Sequence, residues 1–145
     1  MERALLEVRR LGFDGLVAVL DRDTAPAGDR LDQAKAGVER DRSDLHRVPV
    51  PTALGEANPH FEAWLSDDGD AVRSVLKISA EEAVPGVADG SPKVTLERLV
   101  ADRGMDRDET KAAVAAAVDV VRCRSAGDTG LAEFVAELRR EFGIE

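Results

Sequence analysis

Hydrophobic positions near the start of the chain change from helical to extended spacing. The side chains Ala4, Leu5, Val8 and Leu11 recur every three or four residues, which predicts a helix over residues 2–11 with Gly12 at its end. The run Leu16–Leu20, LVAVL, is short and uniformly apolar. Such a run is typical of a strand that is buried on both faces, as in a parallel sheet.

A second helix and a second extended segment follow. Pro26 suits a first helical turn, and an inward stripe of Leu31, Ala34 and Val38 predicts a helix that ends near Arg42. The run HRVPVPTAL, His46–Leu54, is extended in character but contains two prolines, which favour a sheet edge. A strand, a helix and a strand at this spacing predict a βαβ unit with parallel strands.

The remaining pattern is predominantly helical. Phe61, Trp64 and Leu65 share one face, so NPHFEAWL predicts a helix capped by Asn58, with Trp64 in the core, before DDGD interrupts it. A loop is predicted over Glu81–Gly90, and helical spacing returns from Ser91 to Phe142. The expected fold class is α/β, with a small, mostly parallel sheet and a helical C-terminal half in one domain over residues 1–145.

The distribution of charge along the chain indicates where a nucleic acid could bind. The chain has 145 residues and a net charge of -9, with nine basic and ten acidic side chains in the first fifty residues and eleven basic and nineteen acidic side chains in the rest. Because nucleic-acid affinity comes from clustered Lys and Arg, any such contact is expected in the N-terminal third.

Cysteine content and hydropathy predict the compartment. The single cysteine, Cys123, excludes an intramolecular disulfide and is expected to be a small helix residue. The charged N-terminus and the lack of an apolar run near the ~20 residues that span a bilayer predict a cytoplasmic protein without a membrane segment.

The candidate chemistry begins where the first strand ends. Asp21 and Asp23 are two residues apart in LDRDT, so an extended backbone presents both carboxylates on one side. Ligands of open α/β sheets bind beyond the carboxyl ends of the strands, and two close carboxylates favour a hard cation such as Mg²⁺ or Mn²⁺ between them. The alternative is turn and capping chemistry, in which Asp23 or Thr24 accepts backbone N–H bonds.

These motifs resemble those of the TOPRIM fold of topoisomerases, primases and OLD-type nucleases. VAVLDRDT looks like the DxD strand of that fold, and PTALGEANPHFEAWLSDD is similar to a Glu-x-Trp-Leu block in uncharacterised TOPRIM-like proteins, including RloB-like ones. The segments SPKVTLERL and LAEFVAELRREF resemble the C-terminal half of one such family of unknown function. The resemblance covers Leu16–Leu76 well and Ser91–Phe142 more loosely.

The resemblance implies roles for particular residues. Asp21 and Asp23 would be metal ligands, Glu62 would be the catalytic Glu of the Glu-x-Trp-Leu block, and Lys93 a phosphate contact, as would Arg22 between the aspartates. His60 is expected to be only an N-terminal turn residue. The resemblance further implies Mg²⁺- or Mn²⁺-dependent nuclease-type phosphoryl transfer, a nucleic-acid substrate, an ATPase partner protein and a place in anti-phage defence.

One departure from the TOPRIM pattern leaves two alternatives open. The family's earlier strand, which ends in a catalytic Glu, has no counterpart before the helix at residues 2–11, so the chain is expected to be a truncated or split member. The first alternative is a noncatalytic interaction module, completed by a partner chain or a homo-oligomer through an open sheet edge. The second is a haloacid-dehalogenase-like phosphatase, although Ala25 occupies the Thr or Val position of the DxDx(T/V) motif.

Overall fold

Helices surround a short parallel sheet in the computed structural model, which describes residues 1–82, 84, 91–123 and 125–144. In chain order the elements are α1 (Glu2–Leu11), β1 (Leu16–Asp21), α2 (Asp29–Arg42), β2 (Thr52–Ala57), α3 (Phe61–Asp67), α4 (Gly69–Leu76), α5 (Pro92–Asp102), α6 (Arg107–Ala117), a 3-10 turn (Val120–Arg122), α7 (Ala126–Thr129) and α8 (Leu131–Phe142). The protein is therefore of the mixed α/β class, as expected.

The predicted βαβ unit is confirmed. Strands β1 and β2 are parallel, with Leu16 opposite Thr52 and Asp21 opposite Ala57, and α2 forms the crossover between them. The described residues contain these two strands in one sheet. Because parallel strands share a direction, the segments that follow β1 and β2 leave the sheet at the same end.

The two strands differ in burial from the expectation. Val17 of β1 is 51% exposed, whereas five of the six residues of β2 are buried. The prediction that β1 is buried on both faces is therefore wrong. Both α2 and α8 pack on β2, whereas the outer edge of β1 pairs with no strand among the described residues. The composition of a strand does not reveal which of its neighbours will cover it.

The predicted start of β2 is also wrong. The strand begins at Thr52, after both prolines of the predicted segment, and continues to Ala57. A proline has no N–H to donate to a ladder, so regular pairing starts beyond Pro51, whose carbonyl accepts from Leu16 N.

Two helices begin later than predicted. Helix α2 starts at Asp29 rather than at Pro26, because Gly28 adopts a left-handed φ of 84° and donates its N–H to Glu56 Oε2 at 3.0 Å. Helix α3 starts at Phe61, with His60 as its N-cap residue. Asn58 does not cap α3, since its amide instead donates to the carbonyl of Asp128 at 3.0 Å.

Opposite faces of the sheet pack against different helices. One face contributes Leu16, Ala18, Leu20 and Leu54 to a cluster with α1 and α2, including the predicted stripe of Ala34 and Val38. The other face packs on α3 and α8, where Trp64 is buried as predicted and stacks on Phe134. Gly55 permits this approach, because a Cβ there would lie 2.6 Å from the Phe134 ring.

The C-terminal half is helical in the residues that the structure describes. Ser91 caps α5 and Asp106 caps α6 through their side chains. The predicted loop over residues 81–90 is described only at 81, 82 and 84, which lie outside helices and strands, and the rest lies outside the described residues. Cys123 follows the 3-10 turn instead of lying within a helix. No described helix combines the length and apolar content that crossing a bilayer requires.

Candidate metal centre

The two aspartates lie at the carboxyl end of β1. Asp21 is the last residue of the strand, and Arg22 extends the ladder by donating its N–H to the carbonyl of Ala57 at 2.9 Å. Asp23 then leaves the sheet with a left-handed φ of 50°, and its N–H donates to the carbonyl of Pro59 at 2.9 Å. Asp tolerates this region better than most residues, so the turn keeps both carboxylates beside the strand end.

The segment after β2 brings a histidine to the same place. His60 is the N-cap residue of α3, and the next residue, Phe61, donates its N–H to Asp21 Oδ1 at 2.7 Å. One ligand atom from each of Asp21, Asp23 and His60 lies within 4.8 Å of the other two. Ligands of one ion with bonds of about 2.1 Å lie about 3.0 to 3.5 Å apart, so small side-chain adjustments would let all three reach one cation.

His60 Nδ1 has no conventional partner among the described residues. It is fully buried and forms no hydrogen bond of normal geometry, although Asp23 Oδ1 lies only 2.9 Å away. The imidazole nitrogen is therefore held directly against a carboxylate oxygen, and an ion bound by both atoms would satisfy them together.

Arg30 supplies positive charge beside the aspartates. Its Nη1 atom donates to the carbonyl of Asp21 at 2.6 Å and lies 3.2 Å from Asp23 Oδ2. The side chains of Arg30 and Asp23 are 46% and 43% exposed, so solvent screens this ion pair and its contribution to stability is small. The guanidinium therefore offsets part of the repulsion between the carboxylates while leaving the site open to solvent.

Arg22 lines a separate opening between α2 and α8. This cavity of about 250 Å³ lies beside β2 and includes Arg22, Lys35, Glu56 and Glu133. Neither Arg22 nor Lys35 has a side-chain hydrogen bond or ion pair with the described residues. The proposed phosphate role of Arg22 thus stays a prediction that its free guanidinium permits.

Glu62 is not a member of the cluster that His60 forms with the two aspartates. Its side chain is buried, and Lys111 of α6 binds its carboxylate while also contacting Glu97 at 3.2 Å. Burial opposes ionisation, but the hydrogen bond and charge of Lys111 outweigh it and hold the pKa of Glu62 below its usual value. Because Lys111 engages the carboxylate of Glu62, the catalytic role of Glu62 stays a prediction that requires release from this lysine.

Lys93 lies in the first turn of α5 and is exposed. Its charge contributes a little to lowering the pKa of Glu62, so it belongs to the surroundings of the ion pair between Glu62 and Lys111. A phosphate contact by Lys93 stays a prediction.

Reasoning from the sequence missed His60 and Arg30 as parts of the site. A topological signal for His60 was present, because parallel strands end at one edge and residues just after β2 must lie near those just after β1. The pattern of α2 gave no comparable signal for Arg30. It is the second residue of a helix that begins beyond the predicted start, and its side chain reaches back to the end of β1.

Comparisons of the chain with known protein families, with characterised proteins and with solved structures find no match. The geometry of the site and the motifs of the sequence are therefore what indicate a function for the protein.

Proposed function

We propose that the protein is a TOPRIM-like, metal-dependent phosphoryl-transfer protein of the nuclease type, with Asp21 and Asp23 as metal ligands. The observation that carries the proposal is the convergence of Asp21, Asp23 and His60 within 4.8 Å at the carboxyl end of parallel strands. That end of the sheet is where open α/β folds bind their ligands.

Particular side chains and the bound ion would each contribute to this chemistry. The side chain of Asp23 is 43% exposed, so a phosphate and a water could reach an ion bound there. Among the described residues Arg22 has an unpaired guanidinium, but it lines the separate opening between α2 and α8. A bound Mg²⁺ or Mn²⁺ would supply a Lewis acid for a phosphoryl oxygen and lower the pKa of its bound water. Glu62 would act as the catalytic Glu only after release from Lys111, so the proposal relies first on the aspartates.

The resemblance to TOPRIM proteins extends the proposal to a substrate, a partner protein and a biological role. It suggests a nucleic-acid substrate, an ATPase partner and a role in anti-phage defence. The nearly balanced charge of residues 1–50, which contain the DxD, is compatible with a nucleic-acid contact there, since the more acidic remainder would repel phosphates.

Metal binding by the purified protein tests the proposal. Asp21→Asn and Asp23→Asn should each weaken Mn²⁺ binding by at least about tenfold in calorimetric titration, because each removes one charged oxygen ligand. Single-stranded and duplex DNA and RNA, incubated with wild type and Mn²⁺ or Mg²⁺, should be cleaved only when both aspartates are present.

Asp14→Asn is the matched control. Asp14 is an exposed aspartate at the opposite end of β1, and no described residue pairs with its side chain. Its substitution changes the net charge equally but should leave binding intact. If wild type binds no divalent cation, or if all three variants bind as wild type does, the metal-dependent function is wrong.

The outer edge of β1 favours a second candidate function. Val17 is exposed there, and alternation of the ladder directs the backbone groups of Val17 and Val19 away from β2. Exposed apolar side chains also lie on α1 and its connection to β1, at Leu6, Leu11 and Phe13. An unpaired edge of this kind invites strand addition, which supports a noncatalytic interaction module completed by another chain.

A further inference from the structure

The third member of the cluster determines which cations the site prefers. Two carboxylates alone would form an all-oxygen site of the kind that Mg²⁺ and Ca²⁺ occupy. His60 adds an imidazole nitrogen, which those hard cations rarely use and which Mn²⁺, Co²⁺ and Zn²⁺ accept readily. The donor set is therefore one nitrogen and two carboxylates.

The position of the histidine supports a ligand role over a hydrogen-bonding one. A buried imidazole nitrogen normally has a partner, because leaving it unsatisfied costs free energy. His60 Nδ1 is buried without a hydrogen bond and lies at a contact distance from a carboxylate oxygen that an ion could share. The hydrogen bond from Phe61 N to Asp21 Oδ1 fixes the start of α3 against β1, so the imidazole is held beside both aspartates.

Resting on the proposed metal site, we infer that His60 is its third protein ligand and that the site selects borderline transition ions, with Zn²⁺ and Mn²⁺ preferred to Mg²⁺. Three protein ligands leave at least one coordination position free, as in catalytic rather than structural zinc sites. The side chain of Asp23 is 43% exposed, so solvent or a substrate oxygen could reach a bound ion. The consequence is a site in which Mg²⁺ is the weakest of the three ions.

A single exchange of donor atom tests the inference. His60→Asn places an amide oxygen near the position of Nδ1 and so converts the site to oxygen ligands alone. Titrations with Zn²⁺, Mn²⁺ and Mg²⁺, using a competing chelator for the tight cases, should show Zn²⁺ affinity falling at least about tenfold while Mg²⁺ affinity changes by less than about threefold.

The second histidine of the chain provides the matched control. His46 is exposed and distant in sequence, so His46→Asn should leave the three affinities unchanged and reveal any adventitious binding of Zn²⁺ by a surface imidazole. Imidazole NMR resonances of wild type provide a measurement that needs no variant. Addition of Zn²⁺ should shift the signals of His60 and leave those of His46 in place.

The outcomes separate the inference from the function on which it rests. If Mg²⁺ and Zn²⁺ bind through Asp21 and Asp23 but His60→Asn leaves their affinity ratio unchanged, His60 is not a ligand and only the inference falls. If no cation binds in a manner that depends on the aspartates, the metal site itself is wrong. Shifts of the His46 signals alone would likewise overturn the inference.

Discussion

Each of the two aspartates at the end of β1 both contacts a neighbouring segment of the chain and carries a negative charge that a cation could bind. Asp21 accepts a backbone N–H from α3, and Asp23 lies between His60 and Arg30. Each carboxylate thus fixes the surrounding loops and offers an oxygen to a cation. Neither Asp23 nor Thr24 accepts the backbone N–H bond of the predicted capping alternative from a described residue, because α2 begins only after Gly28; Asp21 accepts one instead, from the start of α3.

Substitution of Arg30 tests how strongly its positive charge affects metal binding by the aspartates. Arg30→Gln removes a positive charge next to Asp23 and should raise the Mn²⁺ affinity by about three- to tenfold at low salt, since like charges at this range repel by roughly 1 kcal/mol in a solvent-exposed site. Calorimetric titration at two salt concentrations measures the change.

Arg30→Lys is the control for charge at that position. It keeps the positive charge and should bind Mn²⁺ about as wild type does. A Gln variant that binds Mn²⁺ more weakly than wild type would show that Arg30 helps to hold the site in shape rather than competing with the ion.

At the scale of elements, periodicity predicted which segments are helical, and packing decided where they begin. The stripes of α1, α2 and α8 are visible in the sequence because a helix buries one face. The start of α2 was missed because the cap bond from Gly28 N to Glu56 joins residues far apart in sequence. The same limit applies to the site. The proximity of Asp21 and Asp23 was predictable from their spacing, although Asp23 lies past the end of β1 in a left-handed turn rather than on an extended backbone, and His60 arrives from another connection.

The outer edge of β1 is the element whose role a single substitution can test. Val17→Lys places a charge on the exposed edge, which should prevent strand addition while leaving the fold intact, because the side chain is half in solvent already. Light scattering coupled to gel filtration should show that wild type self-associates and that the variant is monomeric.

Val121→Lys is the matched control, since Val121 is 93% exposed on the 3-10 turn. The Val121→Lys variant should self-associate to the same extent as wild type. A wild-type chain that is monomeric at all concentrations, together with an unchanged variant, would remove the homo-oligomeric form of the interaction module.

At the scale of the whole molecule, buried carboxylates join helices that are distant in sequence. Asp68 lies between α3 and α4, is 1% exposed, and accepts hydrogen bonds from Ala71 N at 3.2 Å, Asp119 N at 2.8 Å and Arg122 at 2.7 Å. Burial favours the neutral acid, but these bonds outweigh it and keep the pKa of Asp68 below its ordinary value. The sequence showed DDGD as a helix break but gave no sign of its distant partners.

This arrangement predicts a pH-dependent loss of stability. Asp68→Asn exchanges an acceptor for a donor that faces Asp119 N and Arg122, which should lower the free energy of unfolding by about 2 to 4 kcal/mol at pH 7. Because the pKa of Asp68 is lower in the folded state, its contribution is complete above about pH 5 and lost as pH falls below about 4.

Urea unfolding followed by circular dichroism at pH 7, 5 and 3.5 measures this difference. The difference in the free energy of unfolding between wild type and Asp68→Asn should stay constant from pH 7 to pH 5 and become smaller at pH 3.5. Asp70→Asn, an exposed neighbour in the first turn of α4, should cost little at any of these values. A gap that widens on acidification would contradict the assigned direction of the pKa.

The single tryptophan makes the chain its own optical reporter. Trp64 lies on the helix whose first residue bonds to Asp21, its indole donates to the carbonyl of Thr129 at 2.6 Å, and its ring stacks on Phe134 at 5.1 Å. Its emission thus comes from one defined environment at the junction of α3, α7 and α8. If binding of an ion at the strand ends displaces α3, the intrinsic fluorescence of Trp64 should change, and the displacement can be detected without a dye or label.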